Sequence, residues 1–210
     1  RNFIGWTPGS DVETPAQVRA YLKDSSILAG GSLAQTAIAG QTIGSVVVSG
    51  SVAIGGGTVG LAASAAGVFA ENKIGVDVKT FIDGDRSSGS TGITADDITL
   101  QASDASSIHA VVAAVSVSLS GGIVAASVSV GVSLARNTIT SNVDAYIVNA
   151  DGVASVDADF GVTARTAGGI TVSATELATI NAVSVAVSLA VSGGGAGIAV
   201  SGAGADANNI

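Results

Sequence analysis

The segment at residues 110–137 limits the fold of this chain more than any other, because it alternates with a period of two and has no charged side chain before Arg136. Val and Leu occupy alternate positions on both sides of Gly121-Gly122, and mostly Ala, Ser or Gly lie between them. A period of two places successive side chains on opposite faces of a strand. The segment therefore predicts two long strands that form a hairpin at Gly121-Gly122, with one aliphatic face and one face of small residues.

Three sequence markers show that this hairpin belongs to a repeat. An Asn-x-Ile triplet begins at four positions that are 70, 65 and 71 residues apart, namely Asn2, Asn72, Asn137 and Asn208. A Val-x-x-aromatic-aliphatic motif follows the first three triplets and places its aromatic residue at Tyr21, Phe81 and Tyr146. A Thr-Ile or Ser-Ile step precedes each hairpin, with its Ile at Ile43, Ile108 and Ile180. Self-similarity at a fixed period is the signature of a repeat architecture.

The markers predict an all-β fold, an elongated β-solenoid-like array of three units of about 65–71 residues. The units are residues 1–71, 72–136 and 137–207, and residues 208–210 begin a further unit. The first unit has a loop insertion at residues 6–15, which contains the only Trp and both Pro residues of the chain. We expect the small face of each hairpin to pack within the array, and contact with a neighbouring molecule is the alternative, because a strand without charge is usually covered on both faces.

Side chains that recur at one place in each unit predict ladders along the array. Stacked amides can bond to each other along a column, which predicts a structural ladder of Asn2, Asn72, Asn137 and Asn208. Tyr21, Phe81 and Tyr146 are predicted to stack in the same way. The alternative for the Asn residues is that each caps its own turn and does not touch the next one.

Composition excludes several classes of function. The net charge of −8 argues against nucleic-acid binding, which needs clustered Lys and Arg. The chain has no Cys and only one His, His109, which we interpret as a polar residue at a strand end. The Ser residues alternate along strands and have no base to activate them. The sequence therefore predicts no catalytic residue, no cofactor and no enzyme activity.

Acidic residues in the variable connections are the only candidates for metal ligands. Asp83, Asp85, Asp157 and Asp159 could supply the carboxylate oxygens that calcium prefers. Neither an EF-hand loop nor a Gly-rich nonapeptide repeat accompanies them. The alternative is that they are solvated charges that maintain solubility.

The repeat resembles one found in very large bacterial cell-surface and secreted proteins, of the adhesin, haemagglutinin-like exoprotein and surface-filament kind. The resemblance is in Ala135-Arg136-Asn137-Thr138-Ile139 together with Ala145-Tyr146-Ile147, and in the segment at residues 170–175 that precedes Thr179-Ile180. It covers all three units apart from the insertion at residues 6–15. The resemblance implies an extracellular location at a bacterial cell surface.

Pattern and resemblance together predict an extracellular structural or adhesive protein that forms a stiff rod or a self-assembling surface fibre. Its partners would be further copies of itself, joined end to end or laterally, or adjoining repeats of a longer chain. One alternative is a module that binds carbohydrate or a surface, with Trp6 and Tyr21 stacking on a sugar ring. A second alternative is a membrane β-barrel, because such barrels also use alternating strands of about ten residues.

Overall fold

The computed structural model describes residues 1–10, 12–84, 92–150, 161–165 and 168–210, and these residues form β-strands, turns and connections without a helix. Twelve strands follow one another along the chain: β1 Asn2–Ile4, β2 Ala16–Lys23, β3 Ile27–Leu28, β4 Leu33–Ala39, β5 Thr42–Gly56, β6 Val59–Asp83, β7 Ile93–Ala95, β8 Ile98–Asp104, β9 Ser107–Val148, β10 Val162–Ala164, β11 Ile170–Glu176 and β12 Thr179–Asn209. They form one six-stranded sheet and two three-stranded sheets.

Every pairing between these strands is parallel and joins one predicted unit to the next. β4 pairs with β8 and β8 pairs with β11, and the short strands β3, β7 and β10 pair in the same order. β5 and the first part of β6 pair with β9, and β9 pairs with β12. The described residues therefore form three layers stacked along the hydrogen-bonding direction: layer 1 lies within residues 2–71, layer 2 within residues 72–136 and layer 3 within residues 137–208. Asn209 is in register with Asn137 and begins a further layer.

The loop at residues 6–15 leaves the stack without disturbing its register. β1 pairs with layer 2 at an offset of 70 residues, as in Asn2 with Asn72, whereas β2 pairs at an offset of 60, as in Ala16 with Val76. The difference of ten residues is the length of the loop. The loop closes at its base, where the backbone N–H of Thr14 donates to the carbonyl of Gly5 over 2.8 Å. Gly5 has a φ of +69°, and a Cβ at this position would collide with the backbone of layer 2.

The core of the stack is aliphatic and lies between the sheets. One cluster is made of Ala37, Ala39, Ile43, Ile74, Val76, Val78, Ala102, Ile108 and Ala110. A second cluster is made of Ile82, Ile93, Ala95, Ile98 and Leu100. The middle layer supplies most of the residues that are fully shielded from solvent, because layers 1 and 3 each cover one side of it.

The predicted hairpin exists as a pair of arms, but the arms do not pair through their backbones. In layer 2 they are residues 108–120 and 123–136, and both belong to the single long strand β9. Each arm bonds instead to its counterparts in layers 1 and 3. The prediction of a hairpin at Gly121-Gly122 was therefore wrong in the sense of a β-hairpin, since alternation along a strand reveals its faces and does not reveal its hydrogen-bonding partner.

The first arms of the three layers stack on one another, and so do the second arms. These two stacks pack face to face, and together we call them the fin. Its first arms are residues 43–56, 108–120 and 180–192, and its second arms are residues 59–71, 123–136 and 196–208. Its interior is made mostly of small residues, and Val112, Val47 and Val68 pack there against Ala70 and Ala135. Ser116 and Ser129, on opposite arms of layer 2, are hydrogen-bonded over 2.8 Å and are fully shielded from solvent. Ser64 and Ser51 extend this chain of hydroxyls into layer 1, with distances of 2.9 Å at each step.

The small residues allow the arms to approach closely. A Cβ on Gly131, which lies in the interior of the second arm, would be 2.8 Å from the backbone oxygen of Val187 on the opposite arm of layer 3. The small face thus packs against the same kind of face within the array. The larger aliphatic residues point outwards, and 43% of Val111 and 45% of Val128 remain exposed.

We predict that Gly131→Ala destabilises the protein by about 1–3 kcal/mol, because the added methyl group meets backbone that cannot move alone. The matched control is Gly202→Ala on the outer face of the second arm, where an added Cβ meets nothing within 4 Å. Ala in place of Gly at an open strand position is expected to leave stability unchanged or raise it by up to about 1 kcal/mol. Denaturant unfolding followed by circular dichroism measures both free energies, and equal values would contradict the close approach of the arms.

Candidate functional site

The recurrent Asn residues form a continuous ladder at the root of the fin. Asn2 Nδ2 donates to Asn72 Oδ1 over 2.8 Å, and Asn72 Nδ2 donates to Asn137 Oδ1 over 2.8 Å. Asn72 Nδ2 also donates to Ser45 Oγ over 3.1 Å. Asn72 and Asn137 are 0% and 1% exposed, so the ladder satisfies amides that have almost no access to water. Buried amides of this kind are costly to leave unpaired.

The fourth member of the ladder is Asn209, and the prediction of Asn208 was wrong. Asn137 Nδ2 donates to Asn209 Oδ1 over 2.9 Å, whereas Asn208 is in register with Arg136 and is exposed. The Asn-x-Ile triplet at residues 208–210 matches the earlier copies in letters and is one position out of register. With Asn209, the interval from the marker Ile to the ladder Asn is 29 residues in all three layers.

The aromatic residues form a second ladder on the outside of the stack. Tyr21, Phe81 and Tyr146 are in register, and each ring lies 5.1 Å from the next with an angle of 7° between the planes. Stacked rings of this kind stabilise a protein by more than the burial of their surface alone. Tyr21 is 56% exposed and Tyr146 is 37% exposed, so the edges of the column face solvent.

A charged network between these two ladders was missed by the sequence prediction. Asp77 lies 3.1 Å from Arg19 of layer 1 and 3.2 Å from Lys79, and Lys79 lies 3.2 Å from Asp144 of layer 3. Burial acts to raise the pKa of Asp77, but hydrogen bonds from Asn142, Arg19 and Lys79 outweigh it and hold the pKa below its ordinary value. Hydrogen bonds to Asp77 and Asp144 raise the pKa of Lys79. The network therefore links three layers with alternating charge.

Asp104 at the corner between β8 and β9 was also missed. It is 1% exposed and accepts hydrogen bonds from the backbone N–H of Ser106 at 3.1 Å and from the hydroxyls of Ser106 and Ser141, each at 2.6 Å. The Asp-x-Ser spacing is that of a side chain that bonds to backbone two residues on. This signal was available in the sequence and marks a turn between two strands.

The loop at residues 6–15 holds its Trp against the stack. The backbones of Trp6 and Glu13 form an isolated antiparallel β-bridge. The Lys73 ammonium lies over the Trp6 ring, 4.6 Å from its centroid. The Trp6 Nε1 is buried and has no hydrogen-bond partner. The loop leaves the stack near Gly75, whereas Tyr21 is in register with Phe81. Six residues of extended strand place these points about 20 Å apart. The structure does not bring Trp6 and Tyr21 onto one sugar-sized surface.

The calcium candidates are only partly within the described residues. Asp83 accepts a hydrogen bond from Asn149 at 2.7 Å and has the Lys23 ammonium at 4.0 Å. Asp85, Asp157 and Asp159 lie outside the described residues. In the part of the chain that the structure describes, no group of three or more His, Cys, Asp or Glu side chains is placed to hold a metal ion.

Within the described ranges, the remaining polar positions do not assemble into a reactive group. His109 is exposed at the start of the first arm, beside Gly44 in layer 1 and Asn181 in layer 3. A cavity of about 230 Å³ at the root of the fin is lined by Arg1, Glu71 and Arg136. Arg1 is paired with Glu71 over 3.2 Å and lies over the Phe69 ring. Ligand pockets are usually larger, at about 300–1,000 Å³.

Comparison with known proteins gave no match: no family model, no characterised protein and no solved structure is similar to the chain. Within its described ranges the chain also has no helix long and apolar enough to cross a membrane. The resemblance to bacterial surface proteins stays a prediction from the sequence.

We predict that Asn137→Ala lowers the free energy of unfolding by about 1–3 kcal/mol, because it leaves buried amide groups on both sides without their partner. Asn208→Ala is the matched control and is expected to stay within about 0.5 kcal/mol of the parent, as for other exposed positions. Chemical denaturation measures both values. A larger loss for Asn208→Ala than for Asn137→Ala would contradict the ladder through Asn209.

Proposed function

We propose that this protein is an extracellular structural or adhesive component of a bacterial surface, an elongated β-solenoid-like rod whose mechanism is assembly. The observation on which the proposal rests is the parallel register of three layers, in which each strand of one layer meets the same strand of the next. Such an array grows in one dimension, because each layer contacts only its neighbours.

The side chains between layers support the same proposal. The amide ladder, the stacked rings and the charged network each run through layer 1, layer 2 and layer 3 and are continuous along the stacking direction. Each layer adds about 4.8 Å to the length. A rod made in this way is stiff, because bending it would stretch all of these ladders on one side.

The outer layers present edges that can accept a further layer. Among the described strands, β4 and β11 each pair with β8 alone, which leaves their backbone groups on the other side open. Open strand edges add to other strands by backbone hydrogen bonds. A further layer can come from another repeat of the same chain or from a second copy. Either source extends the same rod, and both agree with the resemblance to surface filaments.

End-to-end stacking can be tested by introducing like charges at positions that would meet where one copy stacks on the next. Stacking in register would place Ala34 of one copy beside Thr171 of the next, since both occupy the outward position of Thr99 in their own layers. We predict that Ala34→Lys with Thr171→Lys weakens end-to-end association roughly fivefold, because opposed like charges on neighbouring strands cost on the order of 1 kcal/mol. Within one molecule the two Lys residues are separated by layer 2, so the fold is retained.

The matched control is Ala34→Lys with Thr171→Glu, which places opposite charges at the same junction and is expected to preserve association. Negative-stain images over a concentration series measure rod length, and fibre diffraction measures the spacing along the rod. The proposal predicts rods with a spacing of about 4.8 Å along their axis. Short particles of one size at every concentration, for the parent protein and both variants, would contradict it.

A further inference from the structure

The fin has its larger residues on the outside, which is the reverse of an ordinary sheet sandwich. On the first arms, alternate outward positions at 46–54, 111–119 and 183–191 form one continuous surface, which we call the arm-1 face. Thirteen of its fifteen positions are Val, Leu or Ile, and the exceptions are Gly50 and Ala113. The exposed fraction of its large residues ranges from 40% at Val115 to 80% at Ile54, apart from the more shielded Val117.

The opposite side of the fin differs from the arm-1 face. There the outward positions are alternate residues at 59–69, 124–134 and 196–206, which we call the arm-2 face. It has fewer large side chains, because layer 1 has Ala63, Ala65 and Gly67 and layer 3 has Gly202, Gly204 and Asp206. The two faces are therefore unequal, and only the arm-1 face has large aliphatic side chains at almost every position of all three layers.

The size of the arm-1 face fits a protein interface. Nine residues along the strands and three strands across give an outline of about 30 Å by 14 Å. The largest apolar patch on a typical monomer is about 300–600 Å² and is often functional, and the arm-1 face is of this size. Because the side chains stand up from the outline, two such faces in contact would bury on the order of 1,000 Å² or more in total, which reaches the lower limit expected of a specific interface.

The chemistry of the fin favours a second copy of this chain over a lipid surface. The fin segments at 43–71, 108–136 and 180–208 contain no Lys, Trp or Tyr, and their one Arg is Arg136 at the end of an arm, whereas such residues anchor proteins at a membrane interface. The net charge of −8 opposes an anionic bilayer. The outermost fin strands also have backbone groups open on one side, which hydrocarbon cannot satisfy.

A sheet face with regularly spaced Val side chains can interdigitate with an identical face. Rows of side chains on two sheets interdigitate when the sheets pack about 10 Å apart with their strands nearly aligned. A two-fold axis between the sheets makes the contact self-complementary and closes it after two copies. We propose that the arm-1 face is a homophilic interface, in which the fins of two copies pack face to face. This contact lies on the flank of the layers and does not rest on their end-to-end stacking.

The test is to place an ion pair on one face of the fin at a time. Val115 and Val187 are register neighbours on the arm-1 face and are 40% and 47% exposed. Val115→Glu with Val187→Lys therefore adds a pair of opposite charges on neighbouring strands, which is compatible with the sheet. Val128→Glu with Val200→Lys is the matched control on the arm-2 face, where the parent residues are register neighbours and are 45% and 56% exposed. Circular dichroism checks that both variants keep the β-fold of the parent.

Sedimentation velocity over a concentration series measures the association of the three proteins. We expect the parent to associate, the arm-1 variant to associate at least about tenfold more weakly, and the arm-2 variant to match the parent within about twofold. Equal effects of the two variants, or a parent that is monomeric throughout, would overturn the proposal. Association that is lost only in Ala34→Lys with Thr171→Lys would overturn it and leave end-to-end stacking standing. Flotation of a monomeric parent with neutral phosphatidylcholine vesicles would overturn it in favour of lipid.

Discussion

The structure depends on one constraint, which is that every side chain in a parallel in-register stack lies about 4.8 Å from its counterparts in the next layers. Side chains that interact favourably with identical side chains, such as amides and aromatic rings, are favoured at that distance. Like charges at that distance are destabilising. Amides form a ladder at Asn72 and Asn137, and rings stack at Phe81. The same constraint explains why only 11% of the residues are charged. Where charges do meet, as at Lys79, their signs alternate between side chains that bond to each other.

The fin shows how the same constraint acts where the first and second arms pack face to face at a short distance. The arms approach so closely that Gly131 has no space for a Cβ, and hydroxyls such as Ser116 and Ser129 bond across the gap. Few large side chains fit inside, where Val112 is fully buried, so most Val and Leu residues lie on the outer faces. The result is an exposed apolar surface that the chain itself does not cover, and this surface is the basis for the proposed pairing of fins.

The sequence predicted the features in which the same residue type recurs in each unit. It missed the features that depend on contacts between different residue types. Alternation and the marker residues were enough for the all-β fold, and they placed Tyr21, Phe81 and Tyr146 at equivalent positions. The same letters misplaced the last Asn, because a triplet at Asn208 resembled the earlier ones while the hydrogen-bonded register chose Asn209. Arg19, Asp77 and Lys79 form a network through contacts between different positions of different layers, and no repeat of identical residues marks it. The hairpin failed as a prediction because either a neighbouring arm or a neighbouring layer can pair with an alternating strand.

Disulfide trapping tests the in-register stacking most directly, because the chain has no Cys and each pair of introduced residues is therefore unambiguous. Thr36 and Gln101 are register neighbours on the outward side of β4 and β8, whereas Thr36 and Ser103 are two positions out of register. Their Cα atoms are expected to be about 5 Å and about 8 Å apart, and a disulfide forms readily only below about 7 Å. The account predicts that Thr36→Cys with Gln101→Cys forms an intramolecular disulfide on mild oxidation and that Thr36→Cys with Ser103→Cys does not. Preferred bonding of the second pair, detected by peptide mapping without reduction, would contradict it.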